Sequence, residues 1–238
     1  QPDTPEDIAS FARTWVLLGD VDEAERLLLE GMAASPHNAN LRNSDWLVLM
    51  VSNRFEEAEQ LVRELKAGFG NDLPEALQRR FDFQLGLLAM IQQEFPAARE
   101  YLVAALSEDD NPAWSGDEII TLTLASLALE RTGEGEQAND LLEEARRLIR
   151  RARLNGVDDP NIYYSEGVLL SMQDDPDGSL QKLQEAYDKG FREYWLFEVD
   201  GRLDPLRDHP DFLLLKDRVA DDVTRALAEI RSLALAMM

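Results

Sequence analysis

A short pattern that recurs five times along the chain constrains its fold more than any other feature. It consists of a polar turn, the start of a helix and a small residue on the apolar face of that helix. The small residues follow one another at intervals of 34, 40, 40 and 41 residues and are Ala24, Ala58, Ala98, Ala138 and Ser179. Self-similarity with a period of about 20 to 50 residues is typical of repeat proteins.

The first occurrence of the pattern shows what one repeat contains. Asp20 and Glu23 have the spacing of a capping box at the start of a helix, and Pro36 prevents that helix from continuing. Apolar and small residues recur every three or four positions in this helix and in the segment that ends near Gly19. The pattern therefore predicts two antiparallel helices whose apolar faces meet, with small side chains where they cross.

With these residues the first repeat resembles a tetratricopeptide repeat. The small positions of that family correspond to Ala12 in the first helix and to Ala24 and Gly31 in the second. Later repeats keep part of the pattern in Gly86, Ala98, Ala105, Gly167, Ser179 and Ala186. The second repeat carries Trp46 where a small residue is expected, so we expect its helix pair to open or tilt. The resemblance implies an all-α fold, a right-handed superhelical solenoid of about five helical hairpins.

The periodicity ends at Gly190. We predict a repeat array over residues 1–190 and a C-terminal helical cap with a long terminal helix over residues 191–238. Residues 204–212 resemble the end of the repeat region in bacterial multidomain proteins that carry a winged-helix or nucleotide-cyclase module. A cap is also expected because a terminal repeat must cover its open apolar end. In the polar connection around residue 110, Trp114 is predicted to anchor onto the preceding hairpin.

The charge and composition exclude several classes of function. The chain has 47 acidic and 24 basic residues and a net charge of −23, which repels nucleic-acid phosphates, so we expect no nucleic-acid binding. It has no cysteine, hence no disulfide, thiol nucleophile or cysteine metal ligand.

No segment is long and apolar enough for membrane insertion, and the first residues lack the regions of a signal peptide. These features leave a cytoplasmic and a periplasmic location equally open. Because the chain starts without an initiator methionine, we expect a mature form or part of a larger protein.

No motif indicates catalysis, a cofactor or a metal site. The two histidines, His37 and His209, do not have ligand spacing, and the glycine-rich phosphate loops and nucleophile motifs are missing. Asp174, Asp175 and Asp177 loosely suggest a calcium loop, but the closing glutamate of such a loop is absent. Turn and N-cap roles explain these aspartates better. We therefore expect a non-catalytic protein without cofactors.

Five arginines stand out in the second half of one predicted helix, and they are Arg146, Arg147, Arg150, Arg151 and Arg153. Cations near the C-terminus of a helix suit its dipole, and Glu143 and Glu144 can pair with arginines one turn on. The alternative interpretation is a patch that binds an acidic partner or the acidic surface of a second copy, which would give a homodimer.

Ligands of the tetratricopeptide family usually lie on the concave face, which is lined by the first helix of each pair. The resemblance therefore implies a partner segment that contacts Arg13, Asn43, Leu47, Met50, Phe83, Leu87, Met90 and Leu127. The middle of this face is apolar, and its methionines can adapt to varied shapes. An amphipathic or extended peptide fits such a surface, and the acidic rim favours basic flanks. The alternative is a groove filled by the chain itself, for example by the final helix with Val219, Val223, Leu227, Ile230 and Leu233.

These features predict a protein–protein interaction module that serves as a scaffold or sensor part of a larger bacterial signalling protein. Two alternatives are a regulatory domain that senses a small ligand and controls an attached output domain, and a self-association module.

Overall fold

The structure, a computed structural model, describes residues 4–106 and 116–236, and Trp114 lies outside them. The described residues form twelve α-helices and two 3-10 helices and contain no strand, which confirms the all-α prediction for this part of the chain. The α-helices are α1 (Pro5–Leu17), α2 (Val21–Ala34), α3 (Ala39–Val51), α4 (Phe55–Phe69), α5 (Glu75–Ile91), α6 (Phe95–Ala105), α7 (Gly116–Arg131), α8 (Gly135–Leu154), α9 (Pro160–Ser171), α10 (Pro176–Asp188), α11 (Tyr194–Val199) and α12 (Pro210–Ala236). The 3-10 helices span Gly70–Asp72 and Gly201–Leu206.

Each occurrence of the repeated pattern lies in an even-numbered helix from α2 to α10, and an odd-numbered helix precedes it. Helices α1 and α2, α5 and α6, α7 and α8, and α9 and α10 pack along one another as pairs. Successive pairs also touch, since α3 packs on α1 and α2, α6 packs on α7, and α8 packs on α9. Sequential helices are therefore spatial neighbours along much of the chain.

The turn inside each pair has the same backbone conformation in all five repeats. One residue with positive φ, between 56° and 89°, stands five positions before the small residue, and these residues are Gly19, Asn53, Gln93, Gly133 and Asp174. The next residue donates its backbone N–H to a carbonyl five residues earlier, at 2.8–3.1 Å. This bond and the left-handed residue define a Schellman motif, which ends the first helix and satisfies its last carbonyls.

Small residues lie where the paired helices cross, as the sequence predicted. Ala24, Ala58 and Ala98 are fully buried. A Cβ atom on Gly86 of α5 would lie 2.6 Å from Cγ of Leu102 in α6, so only glycine allows this approach. In the fifth pair the hydroxyl of Ser179 donates to the carbonyl oxygen of Gly167 at 2.7 Å. Small residues thus let the neighbouring helix approach closely at these crossings.

The chain forms two compact units. The described residues of the first are 4–64, 192–195 and 216–236, and those of the second are 65–106, 116–191 and 196–215. Neither unit coincides with the predicted domains 1–190 and 191–238. Residues 191–238, which we call the C-terminal tail, contribute to both units.

The core of the first unit lies between α1, α2 and α3, and its buried members are Ala9, Ala12, Val16, Ala24, Leu28, Leu41 and Val48. The unit also contains residues 216–236 of α12, in which Arg231 forms an ion pair of 2.6 Å with Asp20. Asp20 is the N-cap of α2 as well, since its other carboxylate oxygen accepts from the N–H of Glu23. Trp46 of α3 is buried, and the opening of its helix pair stays a prediction.

The second unit has two apolar clusters along its helix pairs. One lies between α5, α6 and α7, around Leu102 and Leu124. The other lies between α7, α8 and α9, around Ile119, Ile149 and Ile162.

An aromatic cluster in the second unit joins α9 to the C-terminal tail. Tyr164 of α9 stacks on Phe191 with ring centroids 4.4 Å apart. Phe197 of α11 meets Tyr164 edge-on at 6.0 Å and lies 5.8 Å from Phe212 of α12. Phe191, Phe197 and Phe212 therefore belong to the core of this unit.

Candidate functional site

The eight residues predicted to contact a partner are divided between the two units. Arg13, Asn43, Leu47 and Met50 lie in the first unit, on α1 and α3. Phe83, Leu87, Met90 and Leu127 lie in the second unit, on α5 and α7. Their exposure and contacts distinguish side chains that could meet a partner from side chains of the core.

In the first unit three of the four predicted side chains are partly exposed. The guanidinium of Arg13 donates to the hydroxyl of Ser44 at 3.4 Å, which fixes it between α1 and α3. Leu47 packs against the core of the unit on one side. Met50 is only 1 % exposed, so its placement on an accessible surface is corrected: it is a core residue of α3.

In the second unit Leu127 also requires a correction. Its side chain is 7 % exposed. A Cβ atom on Gly201 would lie 3.9 Å from Cδ2 of Leu127, so the 3-10 helix Gly201–Leu206 contacts α7 at this point. The same 3-10 helix packs on α9. Leu127 therefore contacts Gly201 of the C-terminal segment and is a buried residue of α7.

A buried charge network holds this 3-10 helix in place. The guanidinium of Arg202 binds the carboxylate of Asp200 with both Nε, at 2.8 Å, and Nη2, at 2.6 Å. Its Nη1 donates to the hydroxyl of Thr123 on α7 at 2.6 Å. The hydroxyl of Tyr164 on α9 donates to Asp200 at 2.8 Å. The network thus ties residues 200–202 to α7 and α9.

The charges of this network are almost completely removed from water, with 5 % of the Arg202 side chain and 2 % of the Asp200 side chain exposed. Burial by itself would raise the pKa of the Asp200 carboxyl, but the charge of Arg202 and the hydrogen bonds from Arg202 and Tyr164 outweigh it and lower the pKa. Burial likewise opposes the charged form of Arg202, and Asp200 overcomes it and raises the pKa of the guanidinium. Both groups are therefore ionised in the folded protein.

A groove filled by the chain itself, either by extra helix length or by the final helix, was one of the alternatives that the sequence left open. Along α7 the contact comes instead from Gly201–Leu206, through Arg202 and Gly201. Asp200 and Arg202 were not predicted as special residues. In so acidic a chain, a single aspartate two residues before an arginine carries no distinguishing signal.

The three predicted residues of α5 remain partly exposed, unlike Leu127. Phe83, Leu87 and Met90 follow one another at spacings of four and three residues and so share one face of the helix. Each is partly exposed. On their inner side all three pack against the cluster that contains Ala89, Leu102 and Leu124. We call these three residues the α5 stripe, and in the second unit it is the apolar part of the predicted surface that stays accessible.

The arginines of α8 have the acidic neighbours that the sequence predicted. Arg146 forms an ion pair with Glu143, and Arg147 forms one with Glu144, each one turn away along the helix. Arg153 pairs with Glu166 of α9 at 2.9 Å, and its guanidinium lies 4.5 Å above the ring of Tyr163. The helix-pairing interpretation is therefore confirmed for Arg146 and Arg147.

The candidate metal residues have structural roles where they are described. Asp175 is the N-cap of α10 and accepts from the N–H of Gly178 at 3.0 Å, and Asp174 is the left-handed residue of its turn. His209 accepts from the N–H of Asp211 at 3.2 Å. Among residues 4–106 and 116–236, no group of three or more acidic or histidine side chains is arranged to hold a metal ion. Within the same residues, none of the helices combines the length and the apolar character needed to cross a membrane.

Comparison with known proteins adds no relative: no protein-family model matches the chain, and no curated protein is significantly similar to it in sequence.

Proposed function

We propose that this chain is a non-catalytic protein–protein interaction module of the tetratricopeptide type. Its five Schellman turns, each five residues before a small residue at a helix crossing, support a repeat of one structural unit. The intervals between repeats begin at 34 residues, the length of a tetratricopeptide repeat, and lengthen afterwards to 40 and 41. Proteins of this architecture act by presenting an extended surface to a partner segment.

The working surface in this proposal is the α5 stripe. The observation that carries it is the partial exposure of three large apolar side chains, Phe83, Leu87 and Met90, on one helix face of a chain with a net charge of −23. Unlike Met50 and Leu127, these side chains keep accessible area after all contacts within the chain are made. Apolar area that a strongly charged protein leaves in contact with water favours binding.

The partner that best fits this surface is an amphipathic peptide segment with basic residues beside its apolar anchors. Apolar residues of the segment would bury the outer sides of Phe83, Leu87 and Met90, and methionine adapts to different side chains at little cost. The acidic surface would attract the basic residues and raise the rate of association. A scaffold or sensor role within a larger signalling protein is consistent with such binding.

The test compares three forms of the protein in cross-linking pull-downs from the source cell. A photo-cross-linking residue replaces Leu87 in one form, and Met90→Asp is added to it in the second. The third carries the cross-linker at Leu87 and the control change Val103→Asp on α6, a position that is 44 % exposed and outside the stripe. We expect the same cross-linked protein with the first and third forms and its loss with the second.

The stability of each form decides how this experiment is interpreted. If Met90→Asp keeps the melting temperature of the parent and removes the cross-link, the α5 stripe binds the partner. If Met90→Asp leaves the cross-link unaffected, the proposed function fails. It also fails if Met90→Asp unfolds the protein and the first and third forms give no cross-link.

A further inference from the structure

One face of α8 carries charges in a self-complementary order. Six residues follow one another at spacings of four, three, four, three and four positions, which keeps them on a single stripe of the helix. All six are exposed, and they are Glu136, Asp140, Glu143, Arg147, Arg150 and Leu154. The first three are acidic and the next two are basic. We call this set the α8 stripe.

The partners of these charges inside the chain leave part of the stripe unneutralised. Glu143 forms an ion pair with Arg146, and Arg147 forms one with Glu144, along the helix. In contrast, Asp140 and Arg150 have no ion pair or hydrogen bond of their side chains among the described residues. Asp140 and Arg150 therefore carry opposite charges on the exposed face, about 2.8 turns apart along the helix.

We propose that the α8 stripe binds the α8 stripe of a second copy of the chain, with the two helices antiparallel around a two-fold axis near residue 145. In this arrangement Asp140 faces Arg150 of the partner subunit, and Glu143 faces Arg147 of the partner subunit. The two-fold axis repeats both contacts, so four ion pairs form between the subunits. The interface is isologous, which is the commonest symmetry of homodimers.

The spacing of the stripe matches the geometry of such a pair. Positions that recur with alternating steps of three and four form the contact seam of two helices crossing at a small angle. Parallel alignment would place each acidic residue beside the same residue of the other copy, where like charges repel. Antiparallel alignment about residue 145 places Asp140 and Glu143 beside basic positions and Glu136 beside Leu154 of the partner subunit. The order of charges therefore selects the direction of the partner helix.

The order of charges on α8 favours a second copy over an acidic peptide. A purely acidic ligand places like charges beside Glu136, Asp140 and Glu143 of the stripe. A partner that carries bases opposite the acidic half and acids opposite the basic half has no such mismatch, and α8 itself meets this requirement. A single helix from each subunit buries an area at the small end of specific interfaces, so we expect a reversible dimer.

The test uses complementary charge reversal and sedimentation equilibrium of the full chain. One variant, Asp140→Arg with Glu143→Arg, has a basic stripe, and the other, Arg147→Glu with Arg150→Glu, has an acidic one. Each exchange converts four attractive contacts of the dimer into repulsive ones, so we expect the dissociation constant to rise at least about tenfold. In an equimolar mixture every contact is attractive again, so a heterodimer should form.

The control variant changes net charge without touching α8. Asp22→Arg with Glu56→Arg reverses two exposed acidic residues on α2 and α4 and keeps the α8 stripe. This control should dimerise with itself like the wild type and should form no heterodimer with the acidic-stripe variant. Circular dichroism and thermal melting check that all forms fold.

A wild-type protein that is monomeric from about 1 µM to about 1 mM overturns the proposal, because weak specific interfaces dissociate in this range. A monomeric complementary mixture also overturns it, as does a control that weakens the wild-type dimer equally. The α5 stripe plays no part in this test, so its result is independent of the proposed function.

Discussion

Replacing the buried arginine of the C-terminal tail, by Arg202→Met, is expected to lower the free energy of unfolding by about 3–5 kcal/mol. The side chain of Arg202 is 5 % exposed and that of Asp200 is 2 % exposed, so the variant leaves a carboxylate without its counter-ion and away from water. Among residues 4–106 and 116–236, the hydroxyl of Tyr164 and the backbone N–H of Arg202 would still donate to Asp200. A loss of this size lowers the melting temperature by about 6 °C or more for a chain of this length.

The pH dependence of this loss follows from the pKa of Asp200. In the wild type burial raises this pKa, and the charge and hydrogen bonds of Arg202 outweigh burial and lower it. Its contribution to stability is therefore present above the unfolded value, near about 3.9, and is lost as pH falls through the folded pKa. In Arg202→Met burial dominates and raises the pKa above the unfolded value. We expect the difference in stability between wild type and variant to shrink as pH falls from about 7 towards about 4.

The assay is urea unfolding followed by far-UV circular dichroism at several pH values. Asp200→Asn should also destabilise the protein, and the double variant Asp200→Asn with Arg202→Met should lose at least about 1 kcal/mol less than the two single variants together. Arg26→Met, which removes an exposed ion pair with Glu23, is the matched control and should leave the unfolding curve unchanged. The reasoning is refuted if Arg202→Met costs less than about 1 kcal/mol, as an exposed pair would, or if its cost is the same at every pH.

Two further predictions concern the repeats themselves. Gly86→Ala should destabilise the protein, because the new Cβ would lie 2.6 Å from Cγ of Leu102 and overpacking costs about 1–3 kcal/mol against a gain in helix propensity of up to about 1 kcal/mol. Gly68→Ala in α4, whose Cβ would meet nothing within 4 Å, should instead stabilise it, and a melting experiment in which both changes have the same sign contradicts the packing argument. Gln93→Gly should stabilise the third turn by about 0.5–1 kcal/mol, since Gln93 has a φ of 61° and the left-handed region is costly for residues with a side chain. Gly133→Ala, at a φ of 89°, is the reciprocal change and should destabilise by a similar amount in chemical denaturation; equal effects of the two changes would be inconsistent with this explanation.

The sequence by itself determined the helical elements and their pairing. Apolar periodicity and the small residues at fixed offsets located the repeated helix starts, and the structure has a helix at each of them. The glycines at positions 19 and 133 marked two of the five turns, because glycine is the usual residue in the left-handed conformation. These features depend on neighbours within a few positions, so they can be recognised without knowledge of the fold.

Only the tertiary structure decided which predicted surface residues are accessible. Met50 and Leu127 have the same apolar character as Leu87 and Met90, yet the first two are buried and the last two are partly exposed. Leu127 is covered by the 3-10 helix that begins at Gly201, and Arg202 reaches Thr123 across 79 positions of the chain. Periodicity reports only the face of a helix on which a side chain lies. What covers that face depends on contacts between residues far apart in sequence, and these form when the chain folds.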